Sequence, residues 1–139
     1  MLEKTNFAKT VELLHRSMDV ASLRYGVIAN NVANADVPNF KRSEINFEAA
    51  LKRAIDSEKS TSRLQLNTSE AGHISSEKKA DWREVAPRRV LDYLTSSKNN
   101  GNNVDPEQEF MDALQNQLRY SLMTQAVAFE FGQINQVLK

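Results

Sequence analysis

The sequence contains no cysteine, which removes disulfides, thiolate nucleophiles and cysteine-ligated zinc together and permits an oxidising compartment without indicating one. Only four glycines and three prolines punctuate its 139 residues, so long uninterrupted elements are allowed. Neither sign of charge prevails, with 18 Lys and Arg against 18 Asp and Glu. A chain with no net field is not steered onto nucleic acid, an anionic bilayer or an acidic substrate. No apolar run is long enough to span a bilayer, and the first residues, MLEKTNFAKTVELLH, never build the apolar core of a secretory signal peptide. Partner choice is therefore expected to rest on shape and local contacts, and any export on a route that reads no cleavable signal.

What is present is helical periodicity at both ends. With 40% hydrophobic residues the chain can build one real but modest core. From about Ala8 to Ala33, Val11, Leu14, Met18, Ala21, Tyr25, Ile28 and Val32 recur at steps of three and four, one face of a helix. Leu13, Val20 and Val27 run beside that row and widen it beyond a bare two-helix seam. From Pro106 onward a second helix carries two rows, Leu114, Leu118, Leu122, Ala126 and Phe129 on one side and Tyr120, Met123, Val127, Ile134 and Leu138 on another. Its start is well marked at Asn103, Val104 and Asp105. Asp105 suits the cap, Pro106 the first helical position, Gln108 completes a capping-box spacing, and Glu107 and Glu109 favour the positive end of the dipole. The preceding Asn99, Asn100, Gly101, Asn102 and Asn103 tolerate left-handed backbone and predict a turn.

The middle is less regular. Ile45, Phe47, Leu51, Ala54 and Ile55 predict a short helix capped near Asn46. Residues 56–79, rich in Ser, Thr, Glu and Lys, cannot bury much of themselves. Trp82, Val85, Val90, Leu91, Tyr93 and Leu94 restore apolar content around Pro87, in a pattern that fits short strand and loop equally. The expected fold is mainly α: long N- and C-terminal helices pairing as a coiled coil, with an irregular middle that has room for short strands or a short helix. The divisions fall at 1–43 for the first helix and the Asn-rich segment, 44–103 for the middle, and 104–139 for the last helix. The two helices most economically bury rows against each other, and the leftover apolar sides then require other molecules.

Residues that could carry chemistry do not converge. His15 and His73, the only histidines, have no cysteine or carboxylate cluster at ligand spacing, so no metal site is expected. His73 also lacks a partner placed by sequence for catalysis. Lys78, Lys79, Arg83, Arg88 and Arg89 around Trp82 faintly echo a nucleic-acid patch, but Asp81, Glu84 and Asp92 dilute it to a solvated face. Asp105, Glu107 and Glu109 splay around a helix start, where capping accounts for them. Met18, Met111 and Met123 read as adaptable core residues, and nothing glycine-rich cradles a phosphate. No catalytic, cofactor or metal site, no nucleic acid and no small-molecule substrate is expected.

One segment stands apart: Asn30, Asn31, Val32, Ala33, Asn34, Ala35, Asp36, Val37, Pro38, Asn39, Phe40, Lys41 and Arg42. Val37 precedes a proline and is pushed off helical angles, while Asn39 can take positive φ and leave Phe40 displayed. On spacing alone an ordinary helix stop with a buried aromatic is the simpler reading. The run NNVANADVPNFKR nevertheless resembles the motif near the N-terminus of bacterial flagellar rod, hook and filament-junction proteins. Asn30, Ala33, Asn34, Ala35, Pro38, Phe40 and Lys41 match it directly, while Val37 stands where Thr is common and Asn39 where Gly is common. The continuation through Ile45, Asn46 and Phe47, the later Thr68 with His73 and Ile74, and the run GNNVDPEQEF resemble the FlgB family of flagellar proximal rod proteins in order and spacing.

That resemblance implies a structural, non-enzymatic subunit of the periplasmic rod of the basal body. It polymerises through its terminal helices to transmit torque and leaves the cell interior through the flagellar type III export apparatus. It further implies FlgC-like and other rod subunits, FliE and the basal-body membrane ring as partners. Its assembly motif would be Asn30, Asn31, Ala33, Asn34, Ala35, Pro38, Asn39, Phe40 and Lys41, with Val11, Leu14, Met18, Tyr25, Ile28, Leu114, Leu118, Leu122, Val127, Phe129 and Ile134 on the assembly helices. The competing readings are a FlgC-like rod protein, in which the Asn-Val start differs from the NNVD found here, and a soluble coiled-coil adaptor that is fully folded alone.

Overall fold

In a computed structural model that describes residues 6–59, 80–95 and 99–138, the elements are α1 (Asn6–Ala33), β1 (Ser43–Asn46), α2 (Glu48–Lys59), a 3-10 turn (Trp82–Glu84), β2 (Arg88–Leu91) and α3 (Pro106–Val137). The chain groups into two compact units, one containing both long helices and bounded at Ile45 and Arg89, the other running from Asn46 to Arg88. Thr68, His73, Ile74, Lys78 and Lys79 lie outside the described residues.

Within the first unit α1, 28 residues long, packs along α3, 32 residues long. Asn31 reaches Glu109, Ala21 reaches Asn116, Met18 reaches Thr124 and the ring of Phe7 meets that of Phe131 edge-on at 5.5 Å. Numbers rise on one helix as they fall on the other, so the pair is antiparallel. The long terminal helices therefore pair as their spacing predicts, but the seam is rotated. Its buried α1 residues are Val20, Ala21, Val27, Ile28 and Asn31. Tyr25 and Val32, both in the row that the sequence marks most strongly, are exposed. The flanking Val20 and Val27 are buried instead, beside Ala21 and Ile28.

The start of α3 is capped by Asp105, whose Oδ1 accepts from the Glu107 amide at 3.0 Å. Gln108 does not complete a capping box; its Nε2 donates instead to Asp112 Oδ1 at 3.0 Å, one turn along. The expected helix around Asn46 is also shifted. Ile45 belongs to β1, and α2 starts only after Phe47, whose carbonyl accepts from the Leu51 amide at 2.9 Å. β1 pairs with β2, and the Asp92 amide donating to the Arg42 carbonyl at 2.9 Å extends the ladder past the end of one strand and before the start of the other. That pattern makes the two strands antiparallel. β1 buries every second residue, Ser43 and Ile45, as a half-covered strand should.

The second unit has its own small apolar centre. Phe47, Ala54 and Trp82 are buried, and α2 packs against the 3-10 turn. Asp81 caps that turn through the Arg83 amide at 2.9 Å, and the Arg83 guanidinium lies over the indole of Trp82, 4.6 Å from the ring centroid. No helix among the described residues is long and apolar enough to cross a membrane.

Candidate functional site

The end of α1 and the start of α3 meet in a polar junction, built from the two asparagine-rich stretches of the sequence. Pro38 stops the helical path, and Asn39 turns the chain with φ of 60°. Its amide donates to the Asn100 carbonyl at 3.0 Å, which brings the second stretch alongside. Gly101 faces it with φ of 78°, and a Cβ there would stand 2.7 Å from Asn39 Oδ1. The backbone angle favours glycine at this position, and a Cβ would oblige the exposed Asn39 side chain to swing aside. Lys41 closes the turn, its Nζ donating to the Gly101 carbonyl at 2.8 Å.

Asn102 and Asn103 then act as backbone substitutes. The fully buried Asn102 points its Nδ2 at the carbonyls of Asn34, Ala35 and Val37, at 2.9, 3.0 and 2.8 Å, which have lost their helical donors. Its Oδ1 accepts from the Val104 amide at 2.7 Å. Asn103 Oδ1 accepts from the Arg42 amide at 2.6 Å, and its Nδ2 donates to the Asp92 carbonyl at 2.8 Å. Beside it, a hydrogen bond from the Thr95 hydroxyl, with help from the Leu94 amide, holds the Asp92 carboxyl below its ordinary value.

At the centre lies Asn31, wholly buried. Its amide pairs with both backbone groups of Ser43, donating to the carbonyl at 2.9 Å and accepting from the amide at 3.2 Å, in the manner of a neighbouring strand. The same Nδ2 sits 3.2 Å from each oxygen of Glu109. Arg42 completes the cluster. Its guanidinium pairs with Glu109 and Glu44, and its Nη2 donates to Asp112 at 2.9 Å. Arg89 braces the edge through Ser43 Oγ at 2.9 Å and Asn30 Oδ1 at 3.3 Å. A neutral buried hydrogen bond contributes about 1 kcal/mol and one to a charged group about 1.5–3 kcal/mol. Removing one member of such a buried pair costs about 3–5 kcal/mol, because the other charge is stranded.

The expected motif residues divide between interior and surface. Asn31 and Ala35 are buried, Asn34, Phe40 and Lys41 half-buried, and Asn30, Ala33, Pro38 and Asn39 exposed; of the helix cap, Asn103 and Val104 are buried and Asp105 exposed. On the helices Ile28 is buried, Val11, Leu14, Met18, Val127 and Ile134 are half-buried, and Tyr25, Leu114, Leu118, Leu122 and Phe129 are exposed. Glu109 lies in the first turn of α3, as the dipole reading expects, and is in addition wholly buried and bound to Asn31 and Arg42, a tertiary role that its spacing alone does not reveal. Sequence reasoning also missed Arg42, Ser43, Asn102, Asn116 and Arg89 as members of the junction and seam. The one available signal for Glu109 and Asn116 was their seven-residue separation, which places them on one face of α3.

Among the described residues no set of three His, Cys, Asp or Glu side chains is placed to hold a metal ion. His15 lies exposed on α1. What the arrangement does is fix the geometry of two helices while leaving apolar side chains uncovered. Leu114, Leu118, Leu122 and Phe129 are 47%, 58%, 64% and 65% exposed.

Comparison with known proteins points the same way. The family model described as flagella basal body rod protein matches residues 18–41, which cover the later part of α1 and the turn through Asn39. The flagellar basal body rod protein FlgB of Borrelia hermsii is 47% identical over 133 residues, 96% of this chain and 98% of that one. FlgB of Borreliella burgdorferi is 46% identical over 134 residues with the same coverage, and FlgB of Bacillus subtilis is 29% identical over 95% of each chain. With its asparagine junction at the matched segment and its likeness running nearly end to end, the chain belongs to the FlgB family of flagellar basal body rod proteins.

Proposed function

We propose that the chain is a structural subunit of the proximal rod of the flagellar basal body, polymerising through its two long helices and passing torque along the rod by their packing. The observation that supports this most is the uncovered row Leu114, Leu118, Leu122 and Phe129 on α3. Each such side chain gains about 1.5–3 kcal/mol on full burial, so a continuous row of them is a strong drive toward association. Subunits joined by unlike surfaces build a helical array rather than a closed ring, and apolar side chains packed at interior density resist shear without covalent links.

Residues 1–43 and 104–139 carry the assembly helices, and residues 44–103 supply contacts to neighbouring subunits. The partners are FlgC-like and other rod proteins, FliE and the basal-body membrane ring, in the periplasm, reached through the flagellar type III export apparatus. The work is mechanical, with no substrate or cofactor.

Leu118→Asp tests this reading cleanly, because the side chain is already 58% exposed and a charge there leaves the helix pair intact. Ile28→Asp does not, since Ile28 is buried in the seam and its replacement unfolds the subunit itself. The expected result for Leu118→Asp is normal export and helix content, no incorporation into isolated basal bodies and no swimming in soft agar. Full incorporation with normal swimming would overturn the proposal.

A further inference from the structure

Of the two apolar rows on α3, the poorer one faces α1. The seam side carries Glu109, Asp112 and Asn116 before it reaches Met123, Val127 and Ile134, whereas the leucine-rich row of Leu114, Leu118, Leu122 and Phe129 points away. At about 100° per residue the two rows are centred roughly 145° apart. Apolar burial alone would turn the leucines inward. The polar side chains must therefore set the rotation.

Their geometry fits that role. Glu109, Asp112 and Asn116 follow one another at the three- and four-residue steps that line one face of a helix, and each is held from the other side of the seam. Asn31 and Arg42 hold Glu109, Arg42 Nη2 holds Asp112 at 2.9 Å, and Asn116 Nδ2 donates to the Ala21 carbonyl at 2.8 Å. Asn116 Oδ1 is buried and has no hydrogen-bond partner among the described residues. An interior amide half satisfied is a poor device for stability, and buried polar residues in helix seams are best attested as setters of register.

We propose that Glu109, Asp112 and Asn116 are positioning residues that fix the rotation of α3 about its axis, so that the leucine row stays uncovered within the chain and available to another subunit. The purpose of the device rests on the assembly reading above; the rotation itself does not. With the three replaced by apolar residues, α3 turns and satisfies its leucines internally.

The absence of cysteine makes a single introduced thiol a clean probe. Leu118→Cys and Met123→Cys are prepared in the full chain and in the same chain carrying Glu109→Leu and Asn116→Leu, and labelling rates are compared. In the otherwise native chain the thiol at 118 reacts about tenfold faster than that at 123, and in the substituted chain the ratio falls to about one or inverts, as a shifted population of two rotations requires. A ratio near one in the native background, or a tenfold ratio that survives the substitutions in a helical chain, overturns the proposal. A general loosening would raise both rates together; the Asn116→Leu single variant then decides, a ratio lowered about threefold or more supporting the proposal and an unchanged ratio overturning it. Labelling of the isolated chain reports rotation alone, so this outcome is separable from that of Leu118→Asp in the cell.

Discussion

Arg42 and Glu109 stand 67 positions apart in sequence yet are bound side chain to side chain, the carboxylate wholly buried and the guanidinium shared with Asp112 and Glu44. This pair ties the turn that follows α1 to the first turn of α3.

Arg42→Ala should therefore strand a buried carboxylate and cost about 3–5 kcal/mol. Glu109→Gln, which keeps an acceptor for Asn31 and removes the charge, should cost less. Urea unfolding of both variants checks the order; Arg42→Ala unfolding at the native midpoint would contradict it.

Asn31→Asp should be worse than Asn31→Ala, because it sets a second carboxylate about 3 Å from that of Glu109, and like charges at that separation cannot both stay ionised. Adding Glu109→Gln supplies a donor in place of the repelling charge. The double variant is expected to recover most of the lost stability in a double-mutant cycle, where simple additivity would refute the contact.

Gly101→Ala should destabilise by about 1–2 kcal/mol from the positive φ alone, with a further contribution from the clash with Asn39 Oδ1. Asn39→Gly removes that oxygen and tolerates its own positive φ of 60°. In the Asn39→Gly background the Gly101→Ala penalty should shrink to the backbone part, as measured by thermal unfolding. A penalty of equal size in both backgrounds would show that the oxygen is not the obstacle.

Asp92 should titrate below its ordinary value of 3.8, chiefly because the Thr95 hydroxyl donates to the ionised form. A carboxyl depressed in the folded state stabilises the fold above 3.8, and that contribution fades as pH falls through the lower folded value. Carbon-detected NMR of the carboxyl gives the midpoint, and Thr95→Val should move it upward. A midpoint at or above 3.8, or one indifferent to Thr95, would count against the assignment.

The helices were legible because their signal is periodic and local. The cap at Asp105 and the stop at Pro38 could be named from single residues, and Asn39 was marked for positive φ by its side chain. The seam was harder to read, since both helices are apolar on more than one side and periodicity alone does not say which side a partner in the same chain will take. Val20 and Val27 were visible beside the main row, but their burial in place of Tyr25 depends on contacts from the far end of the sequence. Ile45 was drawn into the short helix by its apolar neighbours, although Asn31 claims the backbone of Ser43 and holds that stretch extended. Glu109 reads as a dipole partner of its own helix and Arg42 as the end of the Asn-rich segment, and only folding brings them together.

The pairing of β1 with β2 has a consequence for how this chain tolerates change. Residues 46 and 88 are the points where the backbone leaves the helical unit and comes back to it, and they close an antiparallel ladder whose opposed backbones lie only about 5 Å apart. Residues added within the span strung between two posts so close together do not alter the gap that it must bridge. A fluorescent tag or affinity epitope spliced there should ride on the subunit as a passenger.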